Sequence, residues 1–154
     1  MKLRAMIEHL AKSMRVAFAA SGQVYPMYHY ITDQGQHKIF TVPMLPDKDF
    51  VAALVRQVLA EDHAVKVLSV YEVWSFDPVN KADAYKWIGR ISEHPDRFEM
   101  IYIIAESLTE PSLCGSIRIN RNPDGSGILG PLQIIESNQA EGRFVGLLPH
   151  GVKH

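Results

Sequence analysis

The sequence predicts an α+β fold, a single domain over residues 1–154 with a mainly antiparallel sheet of about five to six strands and two principal helices packed on it. Three observations support this prediction. Two segments have the apolar repeat of amphipathic helices, several others have the composition of β-strands, and the two kinds do not alternate regularly as they do in parallel sheets. The predicted order is α-β-β-α-β-(α)-β-β-β-β. With 154 residues, 47% of them hydrophobic, the chain is long enough to bury one core.

The first helix is predicted from an apolar stripe near the N-terminus. Its members recur at steps of three and four residues, namely Leu3, Met6, Ile7, Leu10, Met14, Ala17 and Phe18. We expect Gly22 to end the helix, because glycine adopts the left-handed terminal conformation at little cost. The polar face mixes both charge signs, which favours a helix packed on the core over one bound to a membrane surface.

A β-hairpin is predicted next, because two β-rich segments, 24–32 and 37–42, flank a turn with a glycine. We expect Gln34 and Gly35 to form a two-residue loop. The register that follows puts Met27, Ile31, Phe40 and Val42 on the core side. The opposite side carries Tyr28, Tyr30, Thr32, His37, Ile39 and Thr41.

The second helix should begin after Pro46, with Asp47 or Asp49 as its N-cap. Its apolar stripe consists of Phe50, Val51, Leu54, Val55, Val58 and Leu59. The segment 66–76 is rich in valine and aromatic residues, which predicts a strand. Residues 77–96 are polar and contain one stretch, ADAYKWIGRI, that favours a short helix.

The C-terminal half is predicted to be mostly β-structure. The strand segments are 97–106, 114–121, 128–136 and 143–149. Residues 122–125 form a turn between two of them, since Pro123 fixes its own φ and Gly125 accepts a positive φ. We expect residues 150–154 to be a loose C-terminal tail.

Composition bounds the partners and the compartment. The formal net charge of −1 argues against nucleic acid as the main partner. No apolar run approaches the roughly 18 residues that cross a bilayer, and Glu8, His9, Lys12 and Arg15 interrupt any signal-peptide core. The single cysteine cannot form an internal disulfide, which is typical of a reducing compartment. We therefore expect a soluble, cytoplasmic protein that does not bind a membrane.

Catalytic and metal-binding motifs are not evident in the sequence. The glycine-rich stretch DGSGILG lacks the Lys and Ser/Thr of a phosphate-binding loop and suits a hairpin turn. The histidines lie at positions 9, 29, 37, 63, 94, 150 and 154, and His29 and His37 are expected on opposite faces of the hairpin. Cys114 is expected to be a small buried apolar residue rather than a nucleophile. We predict no metal and no cofactor.

One constellation does suggest a site. Alternation along 66–76 places Glu72 and Trp74 on one face, and along 97–106 it places Arg97 and Glu99 on one face. If these strands are antiparallel neighbours with Phe76 roughly opposite Arg97, then Trp74 faces Glu99 and the charged residues form one patch. The connection of 20 residues between the two strands does not determine which residues pair, so the patch forms only if the strands adopt this register.

The patch has two interpretations. In the structural one, Arg97 bridges Glu72 and Glu99 beside Trp74 and stabilises one end of the sheet. In the functional one, the same residues form a pocket floor, in which paired carboxylates supply acid/base chemistry, arginine binds an anionic group and tryptophan stacks. His94 would then be a proton carrier at the mouth of the pocket.

Two classes of function follow from these patterns. The first is a non-catalytic binding or assembly module that acts through a protein–protein or small-ligand surface, with Tyr28, Tyr30 and Ile39 as candidate partner surface, because exposed aromatic area is typical of interfaces. A homo-oligomer or another protein would be its partner. The alternative is a small enzyme that acts on an anionic or polar metabolite through Glu72, Glu99 and Arg97. The absence of a catalytic motif favours the first class.

Overall fold

The computed structural model describes residues 1–42, 47–136 and 146–148, and it confirms the α+β fold. The helices are α1 (Leu3–Ser21), α2 (Lys48–Glu61) and α3 (Lys81–Lys86), with one turn of 3₁₀ helix at Ile91–Glu93. The strands are β1 (Met27–Thr32), β2 (His37–Phe40), β3 (Ala64–Ser75), β4 (Phe98–Ser107), β5 (Leu113–Arg121) and β6 (Gly127–Glu136). None of the helices in the described part of the chain has the length and apolarity needed to span a membrane.

The strands form one sheet in the order β2-β1-β3-β4-β5-β6, and every neighbouring pair is antiparallel. The chain reaches β3 through α2, which brings it back beside β1. From β3 to β6 each strand pairs with the next one in the sequence. The order of elements is therefore the predicted one as far as β6.

Helix α1 covers one face of the sheet, which we call the α1 face. Six residues of its predicted stripe are buried, namely Leu3, Met6, Ile7, Leu10, Met14 and Phe18. The seventh, Ala17, is exposed, and Ala11, which was not predicted to belong to the stripe, is buried. Gly22 ends the helix with φ 74° and donates its N–H to the carbonyl oxygen of Phe18. The helix lies close to the sheet at Gly127, where an added Cβ would meet the ring of Phe18 at 2.9 Å.

Helix α2 covers part of the opposite face, which we call the α2 face. Asp47 caps the helix by accepting the N–H of Phe50, as predicted. Its buried residues pack with those of β1 and β3 and with Leu147 and Leu148. Glu106 of β4 accepts the N–H of Leu147 at 3.0 Å, which fixes this short segment against the sheet.

The register of the β1–β2 hairpin differs from the prediction by one residue. Tyr28 pairs with Phe40, because the loop has three residues rather than two. Gly35 is the third loop residue and has φ 77°, and the N–H of Thr32 donates to the carbonyl of Gln36 across the loop. Three-residue hairpin loops of this kind end on a residue in the left-handed conformation.

This shift moves each side chain of β2 relative to β1 and corrects the predicted partner surface. Tyr28 and Tyr30 point to the α2 face and are only 1% and 6% exposed, so they belong to the core. Ile39 is 63% exposed and lies on the α1 side of the hairpin, opposite His29. The prediction was wrong for the two tyrosines because both faces of the sheet carry a helix.

The remaining C-terminal predictions are only partly covered by the structure. The strand predicted over 143–149 lies largely outside the described residues, and its described part, 146–148, is not strand. The predicted tail 150–154 lies outside the described residues. Cys114 is buried, as expected, and its sulfur accepts the hydroxyl of Tyr102 at 3.0 Å.

Candidate functional site

The β3–β4 register is the one that the predicted constellation requires. Trp74 pairs with Glu99, and Glu72 lies two residues further inward, opposite Ile101. These side chains therefore share the α1 face of the sheet. Their convergence is a fact of the structure, whereas their use in binding or catalysis stays a prediction.

Glu72 lies under the chain that leaves α1. Its carboxylate accepts the backbone N–H of Val24 at 3.1 Å, and it is 3.8 Å from a guanidinium nitrogen of Arg121. Burial raises the pKa of Glu72, and the negative charge of Glu99 adds to this effect, while the bond from Val24 and the charge of Arg121 oppose it. The carboxylate of Glu72 therefore has a structural role, since it accepts a hydrogen bond from the backbone N–H of Val24.

Arg121, rather than Arg97, joins the two carboxylates. Its Nε and one terminal nitrogen donate to the carboxylate of Glu99 at 2.8 and 3.2 Å. Its other terminal nitrogen donates to the carbonyl oxygen of Gly22 at 2.7 Å, and its guanidinium lies 5.3 Å from the ring centre of Phe18. We call Arg121, Glu72 and Glu99 the arginine clamp, because they hold the end of α1 on the sheet.

Sequence reasoning missed Arg121 because the residue lies on β5, beyond the two strands that were paired. A signal for it existed. Consecutive strands are neighbours in the sheet about two-thirds of the time. Alternation along 114–121 gives Arg121 the same parity as the core residues Ile117 and Ile119.

Arg97 has other contacts. Its guanidinium lies 4.9 Å from the ring centre of Trp74 and donates to the carbonyl of His94 at 3.1 Å. The imidazole of His94 stacks on Phe76 at 4.4 Å and meets Trp87 edge-on at 4.5 Å. His94 therefore belongs to an aromatic cluster beside the patch, and Arg97 is not the bridge that the structural interpretation predicted.

A depression of about 280 Å³ lies at this end of the sheet. Of the five predicted residues, Trp74, Arg97 and Glu99 line it. The carboxylate of Glu99 is engaged by Arg121 on both oxygens, so it lacks the free geometry that a general acid or base needs. The contacts of this region thus favour a structural role for the carboxylates.

A second concavity lies between α1 and the β1–β2 hairpin, and we call it the helix–hairpin cavity. Its volume is about 380 Å³. Its apolar lining residues are Met1, Met6, Leu10, Ile39 and Leu68. Its other lining residues are His9, Ser13, His29, Tyr30, His37 and Lys38. Tyr30 and Lys38 pair with each other on the α2 side of the hairpin, where both bind Asp62, so their polar ends do not face the cavity.

The cavity follows from how α1 is placed on the sheet. The helix packs mainly on β3, β4, β5 and β6, so the α1 side of the edge hairpin is less covered. The buried side chains of Met6, Leu10 and Leu68 form a floor that is continuous with the core. Strand β2 adds a wall on the outside, where the apolar Ile39 is exposed.

Three histidines line this cavity, which the sequence analysis did not predict. His29 pairs with Ile39 and His37 with Ile31, so both imidazoles lie on the α1 side, two residues apart along the ladder, and the expectation of opposite faces is corrected. Burial lowers the pKa of His29, because it disfavours the charged form of the imidazole. His9 reaches the cavity from α1.

Metal binding has no support from the described residues. Within residues 1–42, 47–136 and 146–148, no group of three or more His, Cys, Asp or Glu side chains has an arrangement that could hold a metal ion. The histidines of the cavity are therefore considered as hydrogen-bond donors and acceptors.

Comparisons of the chain with protein-family models, with curated proteins and with solved structures give no match. Its function has to be inferred from the geometry of the described residues.

Proposed function

We propose that this protein is a non-catalytic binding module whose small-molecule ligand occupies the helix–hairpin cavity. One observation carries the proposal: the cavity combines an apolar floor with polar side chains from α1 and from the hairpin. Binding sites for small molecules usually have this composition, and volumes of about 300–1,000 Å³ are typical of them.

The exposure pattern supports the same site. Ile39 exposes most of its apolar surface on an edge strand, and Met6 and Leu10 form the buried floor beside it. A ligand in the cavity would remove this apolar surface from water, which is worth about 25 cal/mol per Å². Of the three residues of the predicted partner surface, only Ile39 is exposed and can contact a ligand. Tyr28 and Tyr30 lie in the core, so they do not support the alternative in which the module binds another protein.

The enzyme alternative has weaker support. Acid/base chemistry at Glu72 and Glu99 needs a carboxylate that can reach a substrate. Both groups instead bind partners that fasten α1 to the sheet, namely the Val24 N–H and the guanidinium of Arg121. Catalysis at this patch stays a prediction that these contacts do not favour.

The test is to block the cavity without disturbing the fold. Ser13 and Val16 are both exposed on α1, but only Ser13 lines the cavity. We expect Ser13→Trp to weaken binding of the neutral dye phenylnaphthylamine, measured by fluorescence titration, by at least about tenfold. The matched control Val16→Trp should bind the dye as the wild type does.

Two results would contradict the proposal. One is that the wild type does not bind the dye or any member of a panel of apolar and amphipathic small molecules in a thermal-shift screen. The other is that Ser13→Trp and Val16→Trp bind equally well, because the site would then lie elsewhere.

A further inference from the structure

We infer that the ligand of the helix–hairpin cavity is an amphipathic carboxylic acid, with its apolar chain on the floor of the cavity and its carboxylate toward the histidines. This inference rests on the proposed function and adds the chemical class of the ligand. Three observations support it: the lining has no acidic residue among the described residues, its histidines come from two elements, and its floor is apolar.

The charge of the lining is one-sided. Among the described residues that line the cavity there is no Asp or Glu, and the histidines are the basic side chains on the cavity's side of the sheet. The chain as a whole has 17 acidic residues against 16 Lys and Arg, so a lining without acids departs from the average surface of this protein. An anionic group would meet no like charge there, whereas a cationic ligand would find no carboxylate partner.

The donors come from two elements. His9 comes from α1, and His29 and His37 come from neighbouring strands of the hairpin. An imidazole has an N–H donor in its neutral form and two in its protonated form, so His9 and His37 can each donate to a carboxylate oxygen. His29 can do so only through Nδ1 while its Nε2 lies 3.2 Å from the sulfur of Met27. Lys38 already pairs with Asp62 at 2.8 Å, which leaves the histidines as the principal recognition groups.

The floor is suited to an aliphatic chain. Met6 and Leu10 from α1 meet Leu68 of β3, and all three are nearly inaccessible to solvent. Methionine adapts its shape to different contacts because its side chain is unbranched and has three rotatable bonds. A flexible chain with one acidic end therefore satisfies both parts of the lining.

The test compares ligands that share one chain and differ only at the polar end. Decanoate and decylamine are titrated below their critical micelle concentrations, and decanol below its solubility limit, against the dye-loaded protein. We expect decanoate to displace the dye at least about tenfold more tightly than decanol, with decylamine the weakest of the three. The double variant His9→Gln/His37→Gln should lose most of the preference for decanoate, because a neutral amide is a weaker partner for a carboxylate than an imidazole that can be protonated, and should bind decanol as the wild type does.

A matched control removes a nearby positive charge that does not line the cavity. Lys12→Gln, on the exposed side of α1, should keep the preference for decanoate. Equal binding of decanoate and decanol to the wild type overturns the inference but leaves the proposed function standing. A preference that is undiminished in the histidine double variant overturns it as well. If the wild type binds neither ligand, the proposed function fails and the inference fails with it.

Discussion

Replacement of Arg121 with alanine tests how α1 is held on the sheet. The side chain joins β5 to Glu99 of β4, to the carbonyl of Gly22 at the end of α1, and to the ring of Phe18. It also lies 3.8 Å from the carboxylate of Glu72. Alanine removes all of these contacts at once and leaves two carboxylates facing each other.

The expected cost is about 2–3 kcal/mol in the free energy of unfolding. A hydrogen bond to a charged group contributes about 1.5–3 kcal/mol, and an exposed ion pair only about 0–1 kcal/mol. The guanidinium side chain is 28% exposed, so the contribution of its bonds to Glu99 falls between these limits. The bond to the Gly22 carbonyl adds about 1 kcal/mol. For a chain of this length the melting temperature should fall by about 5–10 °C.

Urea unfolding followed by circular dichroism measures this cost. Arg118→Ala is the matched control, because Arg118 lies on the same strand and its guanidinium, 3.9 Å from the ring centre of Phe98, has no ion pair among the described residues. It should cost less than about 1 kcal/mol. In a Glu99→Gln background, Arg121→Ala should lose at least about 0.5 kcal/mol of its effect. An Arg121→Ala protein as stable as Arg118→Ala would refute the clamp.

Three further predictions concern close packing, the role of Glu72 and acid stability. Gly127→Ala should destabilise the fold by about 1–3 kcal/mol in the same urea assay, because the added Cβ would lie 2.9 Å from the ring of Phe18. Gly130→Ala is the control and should be tolerated, because the atom nearest to its added Cβ would be 3.5 Å away. Glu72→Gln keeps an acceptor for the backbone N–H and should stay within about 1 kcal/mol of the wild type, while Glu72→Ala should cost about 1–3 kcal/mol, and equal costs would argue against the structural role. The hydrogen bond from Lys66 lowers the pKa of Glu110 in the folded protein below its ordinary 4.5. The ionised carboxylate therefore stabilises the fold above pH 4.5, and this stabilisation is lost as the pH falls through the lowered pKa of the folded state. Glu110→Gln should therefore flatten the acid side of the stability curve measured by urea midpoints, and an unchanged curve would contradict this.

Much of the fold follows from local patterns in the chain. The apolar repeat in α1 and the alternation in β3 and β4 depend only on neighbouring residues, and each element was found close to its predicted bounds. Even the pairing of Trp74 with Glu99 followed from a simple assumption that the two strands are antiparallel neighbours. Such periodicity is visible in sequence because one face of each element must be apolar.

The candidate site was predicted less completely. The patch around Glu72 was recognised, but its arginine was misassigned, because Arg121 reaches Glu99 only through the pairing of β4 with β5. The helix–hairpin cavity was not predicted at all. Its two strand histidines, His29 and His37, share a face only because Gly35 makes the loop three residues long, which shifts the register by one position.

The sequence by itself thus determined the helices and strands as far as β6, their order, and the alternation that divides the side chains of each strand between two faces. Tertiary structure alone decided which strand faces turn toward α1, which arginine meets the carboxylates and where α1 leaves the sheet uncovered. The physical reason is that periodicity is a property of consecutive residues, whereas register and cavities depend on loop geometry and on contacts between residues far apart in the chain.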